Sequence, residues 1–133
     1  MSENLDLVRS VYANWERGNW SDGSWADPEI EFVIADGPDP RSITGREAMA
    51  SAWSEFLGAW SGYAIAAEEY RELGDDRVLV VLRVNARGKA SGVEAATGSE
   101  RGANVFDFRA GRVSRLAMYF DHTNALVELG LQK

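Results

Sequence analysis

The stretch 62–121 constrains the fold of this chain more than any other feature. Strand-like patterns follow one another there with only tight turns between them, while the residues before it are mostly helical in period. Val78, Val80, Leu82 and Val84 alternate with Leu79, Val81, Arg83 and Asn85, the period of a strand whose two faces differ. The pattern predicts strands over 63–73, 77–90, 94–109 and 112–121, with turns at Gly74-Asp75-Asp76 and Ala110-Gly111 and a bend or bulge around Gly88, Ser91 and Gly92. Strands joined this tightly pair antiparallel.

Upstream, Leu5, Val8, Val11, Tyr12 and Trp15 share one face of a helix predicted over 2–17, which Gly18 can end. Residues 19–25 read as a short irregular helix or turn, broken at Asp27-Pro28. A short strand is expected over 29–35 and a loop over 36–40. Thr44, with Glu47 three residues on, has the pattern of a capping box. Met49, Trp53, Phe56 and Trp60 then step by 4, 3 and 4 along the helix that follows, and a last short helix is expected over 124–129. Helices gathered ahead of a run of strands make an α+β domain in which the long helix closes over one face of a curved sheet. Apolar residues on the other face then need cover, which predicts a homodimer formed sheet to sheet.

The 133 residues fit one domain, 1–133. With no cysteine there is neither a disulfide framework nor a thiolate site, and one histidine, His122, excludes a multi-histidine metal centre within one chain. No metal and no cofactor are expected. A net charge of −7 repels phosphate backbones, so no nucleic-acid partner is expected. No apolar run is long enough for a membrane span, and Met1-Ser2-Glu3-Asn4 has no basic start, so no membrane partner and a cytoplasmic location are expected.

Four stretches together resemble the nuclear transport factor 2-like superfamily, which includes ketosteroid isomerases and SnoaL-like polyketide cyclases. They are Trp25-Ala26-Asp27-Pro28, then Thr44-Gly45-Arg46-Glu47-Ala48, then 87–94, and last Phe108-Arg109-Ala110-Gly111-Arg112-Val113 with Tyr119-Phe120-Asp121 and 125–131. The resemblance implies a cone: a curved antiparallel sheet wrapped around a long helix, enclosing a pocket for a small hydrophobic molecule. It also implies, if there is catalysis, cofactor-free acid/base chemistry of the isomerase or cyclase type on a carbonyl compound.

Candidate site residues follow from both readings. Asp121 resembles in position the acid/base aspartate of the cyclases, and its place before the last helix equally makes it an N-cap. Counting back from Gly45-Arg46-Glu47, the resemblance puts Asp36 near the loop position of the isomerases' base; counting forward from Trp25-Ala26-Asp27, it puts Val33 there. By composition Asp36 is also a turn aspartate. Asn104 falls where those isomerases carry an oxyanion donor, and an amide donates without pKa tuning. The isomerases' oxyanion tyrosine corresponds to Val11, with Tyr12 one residue and about 100° away around the helix. Trp15, Trp53, Phe106, Met118 and Phe120, with Tyr12, are expected to hold the ligand. His122 is read as a first-turn surface residue of the last helix. Arg83 and Asn85 fit either the pocket edge or the outer face. A non-catalytic dimeric module with a vestigial pocket, and a hydrolase activating water with a pocket carboxylate, remain alternative functions.

Overall fold

Helix α1 (Glu3–Glu16) forms because its apolar residues fall on one stripe, and the fold buries that stripe as Val8, Val11, Tyr12 and Trp15. The chain continues as β1 (Ala26–Ile34), β2 (Arg41–Thr44), α2 (Arg46–Gly58), β3 (Trp60–Glu72), β4 (Arg77–Gly88), β5 (Glu94–Arg109), β6 (Arg112–Tyr119) and α3 (His122–Glu128). The computed structural model describes residues 3–17, 23–36, 40–58, 60–88 and 94–131, with side chains described outside 56–64 and 84–100. The expected turn at 19–25 lies mostly outside these residues, as do the side chains of Phe56, Trp60 and Asn85.

The six strands form one curved sheet in the order β2-β1-β6-β5-β4-β3. The hairpin-linked strands β3 to β6 pair antiparallel, and β1 pairs β2 antiparallel. The β1–β6 pair is parallel, so the sheet is mixed rather than wholly antiparallel. Register shifts interrupt β3–β4 between Ala67 and Glu69 and β4–β5 between Val84 and Asn85. The first leaves Glu68 without a register partner and the second leaves Gly98 and Ser99 without one, irregularities that bend their strands and help so long a sheet curve.

Several boundaries differ from the sequence pattern: β1 starts at Ala26 rather than at 29 and α3 at His122 rather than at 124. β2 is not expected from the sequence and lies just past the predicted loop 36–40; with only Ile43 apolar it shows no alternation, yet as an edge strand it pairs with 31–34 of β1. Thr44 ends β2, and Gly45, at φ 106°, stands immediately before α2 and donates to Ile30 O at 2.8 Å. Trp60 opens β3 instead of closing the helix. At the β5–β6 hairpin Ala110 and Gly111 have φ 54° and 79°, the positive pair a type I′ turn requires.

Two apolar layers flank the sheet. Inside, Val78, Val80, Leu82, Phe106, Phe108, Leu116 and Met118 pack against the stripe of α1 and against Met49 of α2. Outside, Leu79, Ala103, Val105, Ala117 and Tyr119 are buried with Ala125 of α3, and Leu126, Leu129 and Leu131 pack against them. The chain's own C-terminal segment packs over these outer residues. Among the described residues, the outer face also carries ion pairs. Arg77 donates to Asp107 at 2.6 Å, Arg115 lies 3.9 Å from Asp107 and 3.4 Å from Glu31, and Ser42 donates to Glu31 at 3.3 Å. Farther along, Arg83 and Arg101 flank Glu68 at 2.7 and 3.0 Å, which places Arg83 on the outer face.

Candidate functional site

The strand period turns Gly102, Asn104, Phe106 and Phe108 of β5 to the inside, beside Leu116 and Met118 of β6. Asn104 is the buried polar residue in this wall, 3% exposed. Its Nδ2 donates to the Tyr12 hydroxyl at 2.6 Å. Val11 and Tyr12 are both buried, but it is Tyr12 whose hydroxyl reaches β5, so the place expected for Val11 is taken by its neighbour. Tyr12 is fixed by aromatic edges: Trp15 at 5.0 Å, Tyr70 at 5.9 Å and Phe106 at 6.0 Å between ring centroids. Burial, followed by the charge of Glu16, raises the Tyr70 hydroxyl above its ordinary value, with Arg9 pulling the other way. An amide has two N–H donors and a carbonyl acceptor. Asn104 uses one N–H on Tyr12, and it lines an inner cleft of about 20 Å³ together with Trp15, Trp53, Ile65, Leu82, Gly102, Met118, Tyr119 and Phe120.

Gly102 explains how closely this wall is drawn. A Cβ on it would stand 2.8 Å from the Tyr119 carbonyl oxygen, closer than real contacts allow, so only glycine lets β5 and the end of β6 approach here.

A second cavity, of about 200 Å³, lies beyond the cleft between α2, β1 and β2. It is lined by Phe32, Ile34, Arg41, Ala52, Trp53, Glu55 and Met118. Trp53 and Met118 belong to both cavities. Arg41 and Glu55 were not singled out in the sequence. Arg41 sits on the unforeseen strand β2, and Glu55 reads as an ordinary helix-surface residue.

The expected ligand-binding side chains divide by depth. Trp15, Trp53, Met118 and Phe120 border the cleft, and Phe120, 37% exposed, forms its lip. Phe106 is fully buried and packs behind Tyr12 and Trp25.

The two candidate carboxylates stand elsewhere, and neither lines either cavity. Asp36 Oδ1 accepts from Phe120 N at 2.6 Å, and its Oδ2 accepts from Asp121 N at 3.2 Å and from Asn124 Nδ2 at 2.7 Å. It ties the end of β1 to the β6–α3 corner. Asp121 is the N-cap of α3: its Oδ1 accepts from Thr123 N at 3.0 Å and from Thr123 Oγ1 at 2.7 Å. Those two bonds, the hydroxyl first, hold its carboxyl below the usual carboxylate range. His122 is in the first turn of α3, its Nδ1 3.9 Å from Asp121 Oδ1. Among the described residues no group of three or more His, Cys, Asp or Glu side chains gathers as a metal site, and no helix is long and apolar enough to cross a membrane.

Comparison with known proteins places this geometry. The sequence profile of the SnoaL-like domain matches residues 8–116. No curated protein matches the chain. Among solved structures, it is similar to an NTF2-like protein of unknown function from Burkholderia pseudomallei, with 18% identity, TM-score 0.77, and 96% of this chain and 97% of that one covered. It is similar to a protein of ketosteroid isomerase-like fold from Catenulispora acidiphila in complex with trimethylamine, with 15% identity, TM-score 0.70 and coverage of 96% and 94%. A candidate polyketide cyclase from Xanthomonas campestris is likewise similar, with 20% identity, TM-score 0.66 and 96% of each chain covered. At these identities the likeness is one of fold.

Proposed function

We propose that this chain, which belongs to the family of SnoaL-like domains, binds a small apolar molecule whose carbonyl or phenol oxygen meets Asn104 and Tyr12. The observation that carries this reading is the 2.6 Å bond between the two side chains inside an aromatic wall. A polar pair retained in an otherwise apolar interior costs desolvation that packing alone would avoid, and an oxygen-bearing ligand gives it a use. The likeness to a candidate polyketide cyclase fits a carbonyl compound as the ligand class.

Binding is the better supported half of the function. A donor amide beside a phenol can stabilise an enolate oxygen, but proton abstraction also needs a base within hydrogen-bond reach of the substrate. Asp36 and Asp121 spend their oxygens on the β6–α3 corner. On this reading they shape the lip rather than move protons.

The test is calorimetric titration with 2-naphthol and 2-tetralone, with naphthalene as the oxygen-free control. Both oxygenated probes are expected to bind, and Asn104→Leu to weaken them by about 1–3 kcal/mol while leaving naphthalene unchanged. Equal affinity of wild type and Asn104→Leu for all three would refute the role of the pair.

A further inference from the structure

The inner cleft has room for about one water, so no ring system fits beside Asn104 in this conformation. The outer cavity is about ten times larger, and the two share the Trp53 and Met118 side chains as a common wall. Trp53 stands between rings on both sides: Trp15 of the inner wall at 5.9 Å and Phe32 of the outer wall at 6.0 Å. Met118, unbranched and flexible, is the kind of side chain that yields to a new neighbour.

Resting on the reading of the Asn104–Tyr12 pair as an oxygen site, we infer that Trp53 is a movable partition whose displacement joins the two cavities into one ligand site. The occupant is a flat ring compound with its oxygen at one end. Its rings lie in the outer cavity, against Phe32 and the displaced indole, and its oxygen passes Met118 to reach Asn104. Trp53 thereby sets the size of ring system admitted. The partition also lowers apparent affinity, because only the opened fraction of molecules is competent to bind.

The partition and the pair give different signatures. Binding is measured with 2-naphthol and with the four-ring phenol 1-hydroxypyrene, on wild type, Trp53→Ala and Trp53→Phe, with far-UV circular dichroism to verify folding. Trp53→Ala is expected to tighten 1-hydroxypyrene by about tenfold or more, since the opening step is no longer needed, and to help 2-naphthol less. Trp53→Phe, which keeps an aromatic wall, should fall between wild type and Trp53→Ala. Adding Asn104→Leu to Trp53→Ala should remove most of the gain, because the oxygen then meets no donor. A folded Trp53→Ala that binds 1-hydroxypyrene no better than wild type overturns the partition. A gain that survives Asn104→Leu also overturns it, since the rings would then occupy the outer cavity alone. Neither result touches the pair itself, which stands or falls on 2-naphthol binding to wild type against the Asn104→Leu single variant.

Discussion

The Asn104 side chain, in the middle of β5, donates to the hydroxyl of Tyr12, on the buried face of α1, across 2.6 Å. The bond joins residues 92 positions apart and pins the first helix to the inner face of the sheet. Removing one partner leaves the other buried with a bond unmade, which costs more than the bond itself contributes. Asn104→Leu and Tyr12→Phe are each expected to cost about 1–3 kcal/mol of stability. The double variant should cost less than the two together, because no orphan remains. Urea unfolding of the four proteins measures this, and strict additivity would contradict the coupling.

Asp36 is predicted to be a structural anchor. Its carboxylate accepts from Phe120 N, Asp121 N and Asn124 Nδ2, so Asp36→Ala frees the lip of the cleft and the start of α3 together. We expect a loss of about 1–3 kcal/mol with an unchanged urea m-value, and faster hydrogen exchange at the Phe120 and Asp121 amides. Exchange at those amides equal to wild type would contradict the anchor.

Asp121 gives a pH prediction with a definite sign. Its folded-state pKa is depressed by the Thr123 hydroxyl and amide, so its contribution is complete above its unfolded-state value and is lost as pH falls through the folded value. At neutral pH Asp121→Ala should cost about 1 kcal/mol, as for other N-caps. The side chain is 61% exposed, so solvent screening keeps the ionic part of that small. The gap between the two melting temperatures should therefore narrow as pH drops below about 4. A gap that stays constant from pH 7 to 3 would show that the carboxylate charge is not what caps the helix.

Much of this architecture was legible in the chain because binary patterns carry it. The alternation through 78–82 and the stripe from Val8 to Trp15 each bury the faces they indicate. What was illegible was set by tertiary context. β2 has too little apolar character to announce an edge strand and exists because β1 offers it hydrogen-bonding groups. The parallel β1–β6 pairing joins strands separated by most of the sequence. In the site, Asn104 could be recognised as an amide among apolar neighbours, whereas its partner could not. Choosing between Val11 and Tyr12 needs the rotation of α1 against the sheet, which a stripe wide enough to bury both does not specify. Asp121 was legible as an N-cap because its partner Thr123 is two residues away, whereas what the Asp36 oxygens accept depends on a corner built from residues some 85 positions apart.

Ala110 is the one described non-glycine residue at positive φ, 54°. It occupies a left-handed position in the β5–β6 turn that costs an alanine about 1–2 kcal/mol. Ala110→Gly is expected to stabilise the protein by several tenths of a kcal/mol to about 1 kcal/mol, the relief of strain being partly offset by the greater freedom of the unfolded chain. Differential scanning calorimetry would register a rise of a few degrees, and a lower melting temperature would mean the turn is not strained.

The central claim is that a ligand oxygen meets Asn104 beside Tyr12, and side-chain amide NMR observes that contact directly. Titrating 2-naphthol into ¹⁵N-labelled protein, the account predicts saturable shifts of the Asn104 Nδ2 protons, with naphthalene causing little change there and Tyr12→Phe weakening the response. Saturable binding of 2-naphthol that leaves the Asn104 amide resonances unmoved would contradict it.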